Sequence, residues 1–305
     1  MKYTVIGTGA IGGYYGAMLQ KGGIEVDFLA RSDFGHIKEH GLRIDSVGGD
    51  FLLDKVNVYS SNTELPDTDV IIVSLKTTSN KDLKNIISPA VKENTVILVM
   101  QNGLGMEEEI SEIFPLARVI GCMCFICSQK HGDGHIVHLD KGSVNFAPLN
   151  EEDMPIVEKL QSDFLKAGIE ASSSSDLRTS RWSKLLWNIP YNGLSVVLNS
   201  NTREIMNSSY GTSLARRLME EVVRGAEACG CSLPEESIER SLHFTKIMTP
   251  YDPSMKLDFD NKRQMEVEYI YRRPMEEAKN NGVELHLIKM LADQLSFINE
   301  QFELE

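Results

Sequence analysis

No stretch of about 18 apolar residues occurs in this chain, so no segment has the length of a membrane-spanning helix. Basic residues are in deficit, 31 against 44 acidic, and the formal charge is −13. A field of that sign repels a phosphate backbone and argues against nucleic acid as a partner, while a single phosphate can still be held by local donors. No basic leader or cleavage region precedes the first apolar run, so a secretory signal is not expected. Cysteine is scarce and odd in number, five in 305 residues, which speaks against a disulfide framework and for a reducing cytoplasm. Three of the five stand at Cys122-x-Cys124-x-x-Cys127. Their flanks read as a buried strand. No second cysteine pair with zinc spacing follows, although His131, His135 and His138 lie close behind, so the expectation is burial as small hydrophobes and no metal.

No internal repeat is present. The chain is longer than a single core usually supports, and 42% hydrophobic with 25% charged residues is an ordinary globular balance, so two domains are expected. Short apolar runs at Tyr3–Ile6, Glu25–Leu29, Val70–Leu75 and Thr95–Met100 alternate with helical stretches at 11–21 and 80–91. This is the pattern of a Rossmann-type, doubly wound α/β sheet covered on both faces. Further strands are expected at 119–126, 134–139 and 143–147, some antiparallel through the turn beginning at Lys130. An amphipathic helix at 151–167 leads to Ser172–Ser175, read as the boundary between a dinucleotide-binding domain, 1–174, and an all-α domain, 175–305. Helices are expected there at 176–198, 211–229, 235–248, 258–281 and 284–302, with Ser232–Glu235 as a capping box for the third.

Gly7-Thr8-Gly9-Ala10-Ile11-Gly12 fits G-x-G-x-x-G, and its context of a preceding strand and a following helix makes it a dinucleotide fingerprint. The first glycine permits the turn, the second lets backbone approach the pyrophosphate, and the third packs helix on strand. The second strand ends Ala30-Arg31-Ser32 where NAD binders carry an acid. Arg31 offers a fork of donors for a 2′-phosphate, so NADP(H) is the expected cofactor, with Asp33 as a neighbour that could pair with Arg31. Two more strand ends are polar. Lys76 is either a cofactor or substrate contact or a solvated loop residue, and Asn102-Gly103 either lies near the cofactor or is a plain turn.

In the helical half, Lys184, Asn188 and Asn192 fall four residues apart on an otherwise apolar helix. Such residues are costly unless they face a polar cleft, and a lysine there can move a proton. Pro190 is expected to kink that helix. Ser254 reads from its position as a helix N-cap.

Taken together these motifs resemble the ketopantoate reductase family over nearly the full chain. The resemblance rests on Gly7–Gly12, Arg31, Leu75-Lys76, Gln101–Gly105, Arg181–Asn192, and Ser254-Met255 with Arg263 and Glu266. It implies a substrate cleft between the two domains and NADPH-dependent reduction of 2-dehydropantoate to (R)-pantoate. Lys184 would be the general acid, while Asn102, Asn188, Asn192 and Ser254 would bind the substrate, which replaces the cap reading of Ser254. Lys76, Asn102 and Glu266 would serve the cofactor. The partner is then a small 2-oxoacid, and the reading leaves room for a homodimer. Three positions depart from the family's usual pattern: Gly193 where proline is usual after the asparagine, Tyr251 in place of an asparagine, and Tyr271-Arg272 after the glutamate. The alternatives are reduction of another 2-oxoacid or related hydroxyacid and, from a different class, a non-catalytic NADP(H) sensor.

Overall fold

The computed structural model describes residues 1–304 and divides into two compact units. Met1–Gln101 and Met106–Leu177 form the first, and Asn102–Gly105 joins the chain from Arg178 onward in the second. The divide at 177 falls close to the serine run, but Ser172 and Ser173 are not linker. They belong to a short strand paired with the sheet through Ala171–Ser173 against Val144–Phe146.

The first unit runs β1 (Tyr3–Ile6), α1 (Ala10–Lys21), β2 (Val26–Leu29), α2 (Phe34–His40), β3 (Leu42–Ser46), β4 (Phe51–Leu53), β5 (Asn57–Tyr59), β6 (Val70–Val73), α3 (Asn80–Ile87), β7 (Val96–Val99), α4 (Met106–Ile113), β8 (Arg118–Gly132), β9 (His135–Pro148), α5 (Met154–Lys166) and β10 (Ala171–Ser173). Parallel strands lie in the order β5-β2-β1-β6-β7-β8, and the sheet continues antiparallel to β9, parallel to β3 and antiparallel to β4. Every residue of β1, β2, β6 and β7 is buried, Thr4 and Asp27 included, as strands covered on both faces require, and β6 and β7 are continuous aliphatic runs. The two strands expected at 134–139 and 143–147 are one, β9. It forms a long hairpin with β8, whose register slips at Phe125/Ile126, Cys127/Ser128 and Lys130/Gly132. Those irregularities bend the ribbon. Ser128 Oγ donates to the Ala10 carbonyl at 3.3 Å, and a Cβ on Gly13 would stand 2.9 Å from Ile136, so the hairpin packs on α1.

Cys122, Cys124 and Cys127 are free thiols buried on β8. Among the described residues no group of His, Cys, Asp and Glu is arranged to hold a metal. His138 is buried against Tyr14 with ring centroids 4.4 Å apart. Its Nε2 faces the carbonyls of Asp140 and Lys141 at 3.1 and 2.8 Å, so the proton sits there and Nδ1 accepts from Ser46 Oγ at 2.8 Å.

The second unit is helical: α6 (Leu177–Val197), α7 (Thr202–Asn207), α8 (Ser209–Ala228), α9 (Ser237–Ile247), α10 (Ser254–Asp260), α11 (Arg273–Asn280) and α12 (His286–Leu304). Its core gathers Trp182, Ile189, Met219, Val222, Ile288 and Leu295. No helix among the described residues is long and apolar enough to cross a membrane. Two expectations are corrected. The capping box lies at Asn201 and Glu204, which open the unforeseen α7, and not at Ser232–Glu235, since α9 starts at Ser237 after Glu236. The stretch 258–281 is not one helix. The chain turns left-handed at Lys262 (φ 50°), Asn299 exchanges hydrogen bonds with Met265, and a π-turn at Glu268–Arg272 precedes α11. Pro190 lies inside α6, which runs on through it to Val197.

Candidate active site

The glycine turn occupies the point in the sheet where β1 is flanked by β2 on one side and β6 on the other, so chain connections diverge and a crevice opens at the strand ends. Gly7 has φ 99°, a left-handed conformation that only glycine adopts without strain. The Ser74 hydroxyl lies 2.9 Å from the carbonyl oxygens of both Ile6 and Gly7 and ties the turn to β6. Gly12 makes that tie possible, because a Cβ there would lie 2.1 Å from both the Gly7 carbonyl and Ser74 Oγ. Gly9 differs: nothing lies within 4 Å of where its Cβ would be. It is the N-cap of α1, with no side-chain cap and no acidic residue in the first turn. Backbone N–H groups there have no partner within the helix, so Gly9, Ala10, Ile11 and Gly12 form an open cradle that fits the pyrophosphate of a dinucleotide. Thr8 is buried within the turn.

Arg31 and Ser32 are exposed at the end of β2. Asp33, 1% exposed, does not pair with Arg31. Its carboxylate takes the Lys130 ammonium from β8, the Ser32 hydroxyl at 2.9 Å and the Gly134 N–H at 3.4 Å. Burial pushes the Asp33 carboxyl up, but these three donors outweigh it and hold it below the usual carboxylate range. Arg31 is therefore left to face solvent. Lys76, half-buried, precedes a tight 3₁₀ turn after β6. Beneath it Gln101 Nε2 donates to the Leu75 carbonyl at 2.9 Å and to Asn80 Oδ1 at 2.7 Å, clasping the ends of β6 and β7. The bracing roles of Ser74, Gln101, Asn80 and Lys130 were not legible in the motif, because each depends on strand register.

In the helical unit, Lys184 is half-buried on α6, and Asn188 and Asn192 are buried at 3% and 2% exposure on the same stripe. Asn188 Nδ2 donates to Asn102 Oδ1 at 3.3 Å. Asn102 is carried by the short segment that belongs to this unit. There Leu104 N–H bonds to the Tyr269 carbonyl at 3.0 Å, and Gly103 (φ 120°) lies so close to Tyr269 that a Cβ would meet it at 2.6 Å. Lys184, Asn188 and Asn192 thus share one stripe of a largely apolar helix, and Asn102 meets Asn188 on it. Such a set can orient a carboxylate or hydroxyl and supply a proton to a carbonyl oxygen.

Ser254 is the first residue of α10, and the N-cap position falls on Pro253, so the serine is not the cap its position suggested. Glu266 is buried in the segment after α10. Two of the three departures explain each other. The Tyr271 hydroxyl, fully buried, donates to the Ile189 carbonyl at 3.0 Å, and a Cβ on Gly193 would come within 2.7 Å of that hydroxyl. Burial drives the Tyr271 phenol well above its ordinary pKa, so it stays a donor. Arg272 is exposed and donates to Ser296 Oγ of α12 at 2.9 Å. Tyr251 is buried, its backbone exchanging hydrogen bonds with Thr202 at 3.2 Å in each direction.

Residues 3–151 match the family described as Ketopantoate reductase PanE/ApbA, and residues 176–299 match its C-terminal counterpart. A 2-dehydropantoate 2-reductase of Nostoc is 46% identical over 303 residues, covering 98% of this chain and 95% of that protein. Among solved structures, a 2-dehydropantoate 2-reductase from Geobacter metallireducens is 35% identical with a TM-score of 0.93, covering 99% of each chain. A D-mandelate dehydrogenase with NADH and anilino(oxo)acetate superposes with a TM-score of 0.90, covering 99% of this chain and 100% of that chain; at 24% identity it shares the fold.

Proposed function

This chain belongs to the ketopantoate reductase family of nicotinamide-dependent oxidoreductases, and from that premise we propose that it reduces 2-dehydropantoate to (R)-pantoate with NADPH, a step towards pantothenate and coenzyme A. The observation that carries the reading is the stripe Lys184–Asn188–Asn192 with Asn102 bonded to Asn188. Gly7, Thr8, Gly9, Ala10, Ile11 and Gly12 hold the pyrophosphate, Arg31 takes the 2′-phosphate, and Lys76 and Glu266 make further cofactor contacts. The nicotinamide, when bound, supplies the hydride.

The residues of this chain do the rest. Asn102, Asn188, Asn192 and Ser254 orient the oxoacid by hydrogen bonds, which converts encounter into an aligned reactant. The Lys184 ammonium lies against the ketone oxygen, stabilises negative charge as it develops there and then donates its proton to give the hydroxyl. The buried Asn188 and Asn192 keep that helix face polar while the surrounding Leu185, Leu186 and Ile189 exclude water. The room that Gly193 leaves for the Tyr271 hydroxyl, and the bond of Arg272 to Ser296 of α12, support this reading despite two of the departures from the family pattern.

The test is NADPH oxidation with ketopantoate beside a panel of other 2-oxoacids. Ketopantoate is expected to give the highest kcat/KM, and clear turnover of another oxoacid with none of ketopantoate would move the chain to a sibling activity. Lys184→Ala should lower kcat by about 100- to 10,000-fold with NADPH affinity retained. An unchanged rate would sink the general-acid role, and binding without any turnover in the parent protein would favour a sensor.

A further inference from the structure

The hairpin of β8 and β9 brings a second cation to the turn that carries Arg31. The Lys130 ammonium and the Ser32 hydroxyl bond the same oxygen of Asp33, so the two donors are immediate neighbours. The Lys130 side chain is 32% exposed while Asp33 is 1% exposed, so the carboxylate is enclosed within the protein while the lysine side chain keeps contact with solvent. The other charges on this face are Arg31, exposed, and Asp133, 3.8 Å from Lys130 and 57% exposed. Two further contacts tie the hairpin to this end of the crevice: Gly134 N–H on Asp33, and Ser128 on the Ala10 carbonyl of the cradle.

We propose that Lys130, seated on the buried carboxylate of Asp33, is a specificity-determining residue that makes this turn select a 2′-phosphate over a free ribose hydroxyl. The inference rests on the NADPH reading and deepens it. An acidic residue at the end of the second strand is the feature that accepts the ribose diol of NAD. Asp33 lies two residues past Arg31 and has the charge for that task, but Lys130, Ser32 and Gly134 occupy its oxygens. Lys130 thereby acts twice: it neutralises the buried Asp33 carboxylate, which would repel a phosphate dianion, and it leaves protons of its own ammonium beside Ser32 to bind one. Without it, the carboxylate buried two residues past Arg31 would be uncompensated by a cation.

The experiment measures dissociation constants for NADPH and NADH on the full chain, with folding followed by circular dichroism. Lys130→Met should weaken NADPH tenfold or more and NADH less than threefold. Lys130→Arg should keep the preference of the parent. Asp33→Asn removes the competing carboxylate and frees the lysine, so it should leave NADPH binding as tight or tighter, with NADH unchanged or weaker. This second variant decides the question even if Lys130→Met fails to fold. A purely structural pair would lower affinity for both cofactors alike in every variant, and that result overturns the proposal while leaving the NADPH reading standing. A parent protein with no preference for NADPH overturns both.

Discussion

Two glycines of the fingerprint should respond in opposite ways to the same methyl group. At Gly12 the added Cβ lies 2.1 Å from the Gly7 carbonyl, 2.1 Å from Ser74 Oγ and 2.9 Å from Val5 Cγ1. Two of these neighbours are fixed, being backbone and buried strand, so the helix must lift away from β1. That movement stretches the Ser74 bonds to Ile6 and Gly7. Overpacking costs about 1–3 kcal/mol and a buried hydrogen bond about 1 kcal/mol, so Gly12→Ala should destabilise by about 3 kcal/mol or more. For a unit of this size that is a fall of about 6–12 °C in Tm. At Gly9 there is no neighbour within 4 Å and φ is −75°, which alanine adopts freely. A weaker N-cap and a stiffer unfolded chain nearly cancel, so the unliganded Tm of Gly9→Ala should stay within about 2 °C of the parent. Its methyl group instead projects into the cradle. A clash of about 1–3 kcal/mol there weakens the dinucleotide by about 5- to 150-fold. Thermal unfolding without cofactor and a fluorescence titration with NADPH separate the two effects. Unchanged NADPH affinity in Gly9→Ala would refute the cradle, and an unchanged Tm in Gly12→Ala would refute the packing argument.

Arg31→Ala should raise the NADPH dissociation constant by about tenfold or more through loss of a charge-assisted contact, and that of NADH by less than threefold; equal losses would contradict the phosphate assignment. Gly193→Ala should destabilise the helical unit through the Tyr271 hydroxyl and Leu291, and Tyr271→Phe should relieve part of the cost. A double-mutant cycle should therefore show coupling of about 0.5–3 kcal/mol, and strict additivity would break the link between the two residues. His138 is held below its ordinary pKa of 6.5 by burial, which outweighs the carbonyls of Lys141 and Asp140. The unfolded chain therefore binds the extra proton first. Stability from this group is complete above about pH 7 and is lost as pH falls through 6.5 towards the depressed folded value. In urea melts between pH 7.5 and 5, His138→Gln should show a shallower loss than the parent; an identical slope would exclude the histidine as its source.

Features set by short-range spacing could be read directly from the chain. The four apolar runs of the parallel sheet, the fingerprint at Gly7–Gly12, the position of Arg31 and the stripe Lys184–Asn188–Asn192 all follow from periods of two or four residues and from glycine's conformational range. The amino-acid order therefore determined the fold class and the chemical types at the site. Tertiary structure decided which distant groups meet. Lys130 reaches Asp33 across 97 positions through the β8–β9 hairpin, which packs on α1 and carries three register slips. Asn102 leaves the strand-rich unit because Gly103 can lie against Tyr269. Gly193 answers to Tyr271, and the stretch 258–281, read as one helix, holds a left-handed turn and a π-turn. Such contacts depend on bulges, register and packing at long sequence separation, where local propensity carries no signal.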